Sequence, residues 1–324
     1  MLKFKTGYSN FILVMSFFIA MFFFSQAPAA AGPSKIIAMD PMVSQWLLAL
    51  KCVEGAKDIL IGEVGKSNYM SEIFPELKDN IMRKKTDNVE SIMLLNPRII
   101  FLKTGTEHNL SDLKKSGVEI VSFDFEKLDD IFKGVAAMGR SLKMEKRAEE
   151  LNEYFKKAME TTGKDIGKNA NNGPKPRVYF ANSNVYSSVG KGMYQNFLIE
   201  TAGGASVTAN APGSKIQISL EELIKWDPEI IITASYCSET PDMIMQNDKL
   251  KDLAAVKNKK IFVMPRYITS WDMPVPESLL GIIWLSNKLH PEIKLDLNRK
   301  IKDFYKIFYN TKVDDSKIEK MINR

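Results

Sequence analysis

Two segments of this chain follow one pattern. The first reads Asn88-Val-Glu90-Ser-Ile92-Met-Leu-Leu-Asn-Pro97-Arg-Ile-Ile-Phe101-Leu, and the second reads Ser219-Leu-Glu221-Glu-Leu223-Ile-Lys-Trp-Asp-Pro228-Glu-Ile-Ile-Ile232-Thr. In each, a capping side chain stands two residues before a glutamate, and a proline follows the cap at a distance of nine. Each therefore predicts a capped helical turn that leads straight into an apolar strand. Self-similarity at a fixed offset is a statement about architecture. Two copies of one α/β unit predict two similar lobes, a cleft between them, and one equivalent glutamate on each lobe.

The likeness runs further, with one residue of slippage. Leu110 to Gly117 reads as a helix with a glycine stop and feeds a strand from Val118 to Phe123, while Leu250 to Leu253 precedes a strand from Lys260 to Met264. Lys35 to Met39 and Arg177 to Ala181 read as the first strand of each half. Strands alternating with helical segments predict parallel sheets built from crossover units. The fold class expected is α/β, with two similar lobes whose parallel sheets are flanked by helices. One long interdomain helix joins the lobes. The pattern from Met144 to Thr161 is strongly helical, and Gly134, Gly139 and Ser141 weaken the stretch before it. About 25 helical residues span roughly 37 Å, enough to cross from lobe to lobe. The boundaries read as 32–142 for the N-terminal lobe, 143–170 for the helix and 171–324 for the C-terminal lobe. A closing helix with Ile301, Phe304, Tyr305 and Phe308 at helical spacing ends the chain.

Residues 1–31 read as a cleaved signal peptide. Lys3 and Lys5 precede an apolar run from Phe11 to Phe24, and small residues suited to cleavage follow. The run is shorter than the ~20 residues of a spanning helix, so a free periplasmic protein is expected over an anchored interaction protein. The net charge of +6 falls to about +4 without the two signal lysines. Such a dispersed surplus does not point to nucleic acid. Cys52 and Cys237 fall in different halves, and their pairing is left open.

Acids in a first helical turn ordinarily serve the helix dipole, and Ser219 with Glu222 makes a capping box. Glu222 fills that role, which leaves Glu221 and its counterpart Glu90 as surplus charges on matching faces. At this point the doubled motif, the long central helix, the leader and Trp271-Asp-Met-Pro-Val-Pro276 together resemble the class III periplasmic binding proteins. These are the cobalamin, siderophore and haem receptors of ABC importers. The resemblance implies a monomer that captures a metal chelate or tetrapyrrole in the interlobe cleft. It further implies that Glu90 and Glu221 dock onto arginines of the membrane permease. The importer permease and a small-molecule ligand are the expected partners. No resident cofactor is expected, although the transported ligand would contain iron or cobalt.

In open α/β sheets ligands bind beyond the carboxyl ends of strands. The loops there carry Asp40, Met42, Tyr69, Thr104, Tyr186, Lys191, Met193, Tyr236, Arg266 and Trp271. Aromatic bodies with polar tips and one or two cations suit a bulky, partly anionic ligand, and Arg266 suits a carboxylate or phosphate. The ligand-binding candidates are therefore Tyr186, Arg266, Trp271, Tyr236, Met193, Met42 and Asp40. Trp46, Trp226 and Trp284 lie in helical patterns and read as core. With only His108 and His290, a bare transition-metal site is disfavoured. Most of the seventeen methionines read as core filling. No catalytic residues are assigned, because neither histidine belongs to a triad pattern and the Gly-rich stretches lack phosphate-loop context. The alternative function is an exported α/β enzyme acting on a cofactor or chelate in the cleft. Siderophore, haem, cobalamin and oxyanion all remain open as ligand.

Overall fold

A computed structural model describes residues 35–55, 57–61, 72–78, 89–106, 110, 113, 115–169, 173–293 and 295–322. The leader, Tyr69, the Asn88 cap and His108 lie outside the described residues.

The first sheet is built from β1 (Lys35–Ala38), β2 (Ile59–Ile61), β3 (Pro97–Lys103) and β4 (Glu119–Phe123), all parallel, in the order β2-β1-β3-β4. The second contains β5 (Arg177–Ala181), β7 (Ala205–Ser206), β9 (Ile230–Thr233) and β10 (Ile261–Val263), also parallel, in the order β7-β5-β9-β10. Taken in chain order the two sheets have one topology. The first strand is inner, the second flanks it, the third lies on its other side and the fourth lies outside that. Along the chain between β5 and β9, a separate antiparallel ladder pairs β6 (Ser187–Val189) with β8 (Lys215–Gln217). Ile99, Ile100 and Phe101 of β3 and all four residues of β9 are buried, so neither strand alternates polar with apolar residues. Helices therefore cover both faces, as parallel sheets require.

The doubled motif appears as α2 (Val89–Met93) before β3 and α6 (Leu220–Trp226) before β9. In each copy a left-handed residue stands directly before the proline, Asn96 at φ 49° and Asp227 at φ 39°. Asparagine and aspartate tolerate that region best among non-glycine residues. Asp227 also accepts the Ala254 amide at 2.8 Å, capping α8 (Ala254–Lys257), which follows the short α7 (Pro241–Met245). Leu250 to Leu253 itself is a turn, and the helix begins directly after it at Ala254.

The long helix expected over 143–170 is present, and the stretch before it, which Gly134 and Gly139 seemed to weaken, is helical too. A full helix α3 (Leu128–Leu142) precedes α4 (Glu145–Asn169), with Lys143 at φ 59° closing the first. Gly134 and Gly139 are close-packing positions within it. A Cβ on Gly134 would enter the Phe123 ring, and one on Gly139 would lie 2.6 Å from the Ala148 Cβ. These glycines let α3 press against β4 and α4.

The apolar core is continuous through both lobes. Trp46 of α1 (Pro41–Lys51) meets Phe155 of α4 and Phe308 of α10 (Leu297–Tyr309), with ring centroids 6.1 and 6.2 Å apart. Its indole N–H donates to the Pro274 carbonyl at 3.2 Å. Phe74 packs on Tyr309, and Arg147 of α4 donates to the Ile307 carbonyl. The last helix α11 (Asp315–Ile322) ties back through Lys317 to Glu72. The closing helix α10 thus has neighbours in both lobes. It rests on α9 (Ser278–Leu289) of that lobe and equally on α1 and Phe74 of the first. Its apolar stripe has two neighbours, and periodicity alone cannot say which. Cys52 and Cys237 are both free thiols. No helix among the described residues is long and apolar enough to cross a membrane.

Candidate functional site

Parallel topology gathers the carboxyl ends of the strands at one rim of each sheet, and the candidate side chains sit there. On the first lobe, Asp40 follows β1 and caps α1, its Oδ1 accepting the Met42 amide at 2.7 Å and the Val43 amide at 3.4 Å. Burial raises its pKa, while those amides and the charge of Lys103 pull the other way. Lys103, at the end of β3, is also 3.4 Å from Glu126 beyond β4. Met42 is half-buried and packs on the main core. Asp40 is thus a cap as well as a rim acid, because Asp-Pro before an apolar helix is itself a helix start.

On the second lobe, Tyr236 follows β9 and is half exposed, its hydroxyl donating to Asn182 Oδ1 at 2.6 Å. Asp272 lies within electrostatic range of that phenol. It is fully buried, accepts from Gln195 at 3.2 Å and from Ser270, and burial raises its pKa. Arg266 follows β10, is half-buried, and its backbone bridges to Ser270. Tyr236, Asn182, Gln195, Asp272 and the Arg266 loop therefore form one neighbourhood. Tyr186 stands apart, half-buried at the start of β6, where its carbonyl accepts the Ile218 amide at 2.7 Å.

Met193 caps the start of α5 (Tyr194–Thr201) and reaches an interlobe cavity of about 450 Å³. Glu126, Lys127 and Leu128 of the first lobe line that cavity against Met193, Phe197 and Glu200 of the second. Among the described residues no group of three or more His, Cys, Asp or Glu is arranged to hold a metal ion. His290 is buried, with a ring nitrogen 3.3 Å from the Gly203 carbonyl oxygen.

Trp271 requires a correction. It has no exposed surface and belongs to the core, so it offers no face to a ligand. The adjacent helix α9 explains this, because Gly281 leaves no room for a Cβ against the Trp271 backbone and the helix packs directly on it. Asn182, Gln195 and Lys103 were passed over in the sequence. Asn182 follows β5 and Lys103 ends β3, positions shared with many residues, and Gln195 lies inside α5, where no local signal marks it.

Away from the rim, Glu90 and Glu221 are both exposed on the matching helices α2 and α6. Ser219 and Glu222 complete the reciprocal capping box at 3.1 and 2.9 Å, and Glu221 takes no part in it. Apolar side chains flank the two acids in the open. Met93 is 39% and Leu94 87% exposed beside Glu90, and Ile224 is 50% exposed beside Glu221.

A family model described as periplasmic binding protein matches residues 36–268. This chain belongs to the periplasmic binding protein family. Within that family it is 33% identical over 138 residues to the molybdate-binding protein MolA of Haemophilus influenzae, covering 42% of this chain and 39% of that one. It is 27% identical over 190 residues to the vitamin B12-binding protein of Salmonella typhimurium, covering 55% and 67%. Among solved structures, a periplasmic solute binding protein from Veillonella parvula superposes with a TM-score of 0.76 at 26% identity, over 90% of this chain and 92% of that one. The two-lobed architecture with its parallel sheets is that of a periplasmic binding protein.

Proposed function

We propose that this chain is an extracytoplasmic receptor that captures a metal chelate or tetrapyrrole and delivers it to an ABC importer without performing chemistry. Iron-siderophore, haem and cobalamin are the ligand classes meant. The observation that carries the reading is the pairing of two sheets of one topology. Their rims hold half-exposed aromatic and cationic groups, while one surplus acid projects from the equivalent helix of each lobe. A rim of this kind binds by shape, stacking and a few polar contacts. Two fixed charges on a rigid frame give register and orientation to a docking partner. The leader at 1–31 supports secretion to the periplasm.

In this reading Tyr236, Arg266 and Met193 contact the ligand, Tyr186, Met42 and Asp40 border it, and Glu90 and Glu221 meet the permease. A second reading, capture of an oxyanion, is favoured by the 33% identity to the molybdate-binding protein. Arg266 and Lys103 are the cations for it. Native mass spectrometry of the protein recovered from its own periplasm tests the proposal. A one-to-one adduct with the mass of an intact chelate or tetrapyrrole is expected. Release of a chemically altered compound instead would favour the enzyme alternative and overturn the proposal.

A further inference from the structure

Beneath the loop that brings Arg266 to the rim lies a carboxylate that solute binding as described does not use. Glu277 stands at the start of α9 and has no exposed surface. Its Oε1 accepts the Ile268 amide at 3.1 Å and the Tyr305 hydroxyl, and its Oε2 accepts the Thr269 amide at 2.7 Å. The Trp271 indole lies beside the same carboxylate without a hydrogen bond of good geometry. The donors come from the loop and from α10, the helix that also rests on the first lobe. An ionised carboxylate only accepts, so it satisfies all three donors at once, which a neutral carboxyl or an amide does less well.

The Trp271 amide donates to the Pro265 carbonyl at 3.0 Å and the Tyr267 amide to the Thr269 carbonyl at 3.1 Å, beside the Arg266–Ser270 bridge. A buried acid with no cation among its hydrogen-bond partners is a poor way to gain stability, and apolar packing would serve that end better.

We propose that Glu277 is a positioning residue for solute capture, whose buried carboxylate fixes the shape of the Pro265–Trp271 loop and locks it to α10. The inference rests on the reading of the rim as the solute site. The groups that face Glu277 are Tyr305 and Tyr309 from α10 and Trp271 from the loop, with Tyr267 beyond Tyr305 and Cys52 of α1 beyond Tyr309. Burial pushes the Tyr305 and Tyr309 phenols upward, so both stay protonated. Burial also raises Glu277 from 4.5 to about 7, against the pull of its donors. The form that holds the loop prevails above neutrality and gives way below it. Asp272, the other buried acid of the segment, is bonded to Ser270 and Gln195, so the Ile268 and Thr269 amides report on Glu277.

The test follows the backbone amide resonances of Ile268 and Thr269 across neutral pH in the wild type, Glu277→Gln and Tyr305→Phe. Binding of molybdate, vitamin B12 and haem is measured on the same proteins above and below neutrality. In the wild type the two amides are expected to titrate together with a midpoint of about 7. They stay flat in Glu277→Gln, and the midpoint rises in Tyr305→Phe because one donor to the ionised form is gone. The compound that binds does so about tenfold tighter on the alkaline side in the wild type, the worth of one charge-assisted hydrogen bond, and with no such difference in Glu277→Gln. Flat wild-type amides, a midpoint near 4.5, or titrating amides with pH-independent affinity would each overturn the inference. Should Glu277→Gln not fold, the wild-type and Tyr305→Phe midpoints decide. If none of the three compounds binds, the failure belongs to the ligand classes, and the amide titrations alone uphold or overturn the hold on the loop.

Discussion

Raising the pH through neutrality should destabilise the folded chain through Glu277. The carboxyl has a value of about 7 when folded and 4.5 when free in the unfolded chain. Between these values the native state binds more protons than the unfolded state, so stability falls as pH rises. The contribution is fully present below 4.5 and is lost as pH climbs through the folded value. At about 1.36 kcal/mol per pH unit, the gap between these two values corresponds to roughly 3 kcal/mol. Urea unfolding of the wild type and Glu277→Gln, measured in steps from about pH 5 to about pH 8, isolates this term, because other titrating groups cancel in the difference. The difference in unfolding free energy should shift by about 3 kcal/mol against the wild type across that range. A difference that stays constant, or that moves in favour of the wild type as pH rises, would refute the linkage. The chain then keeps a costly acid where apolar packing would be more stable, which is the pattern expected when a residue serves function.

Three further outcomes are expected. Glu90→Ala combined with Glu221→Ala should leave solute affinity in vitro unchanged and abolish uptake in cells; normal uptake would remove both residues from docking. Gly139→Ala should lower unfolding free energy by about 1–3 kcal/mol, because its Cβ would sit 2.6 Å from that of Ala148 where α3 crosses α4. Calorimetry or urea melts would register that loss. Scattering with and without solute should show only a small change in dimensions, since α4 and α10 both bridge the lobes and resist hinge bending; a large contraction would contradict the double tie.

Much of this architecture is written locally. The caps, the proline at a fixed offset and the apolar runs after it are short-range signals, so α2, α6, β3 and β9 were legible, as was the long α4. The two-residue β7 and three-residue β6 and β8 are too short to carry a period. The sequence also made breakers of Gly134 and Gly139, because a missing side chain reads the same whether the backbone needs freedom or a neighbour needs space. Burial explains the error at Trp271: an aromatic beside prolines in a loop looks like a binding face until α9 is found underneath it. Glu277 was invisible for the opposite reason. A glutamate after proline at a helix start looks like ordinary surface chemistry, and only the fold brings Tyr305 and two loop amides to it. The paired acids were legible because their duplication set them apart from the capping acid Glu222.

The central claim is that a small solute is held at the rim of the two sheets. Calorimetric titration of the wild type and Arg266→Ala with vitamin B12, haem, a ferric siderophore and molybdate tests it most directly. The account predicts one-to-one binding of one of these, returned unchanged on release, with affinity reduced at least about tenfold in Arg266→Ala through loss of a charge-assisted contact. Saturable binding that Arg266→Ala leaves untouched would contradict the placement of the site, and turnover of the bound compound would contradict the function.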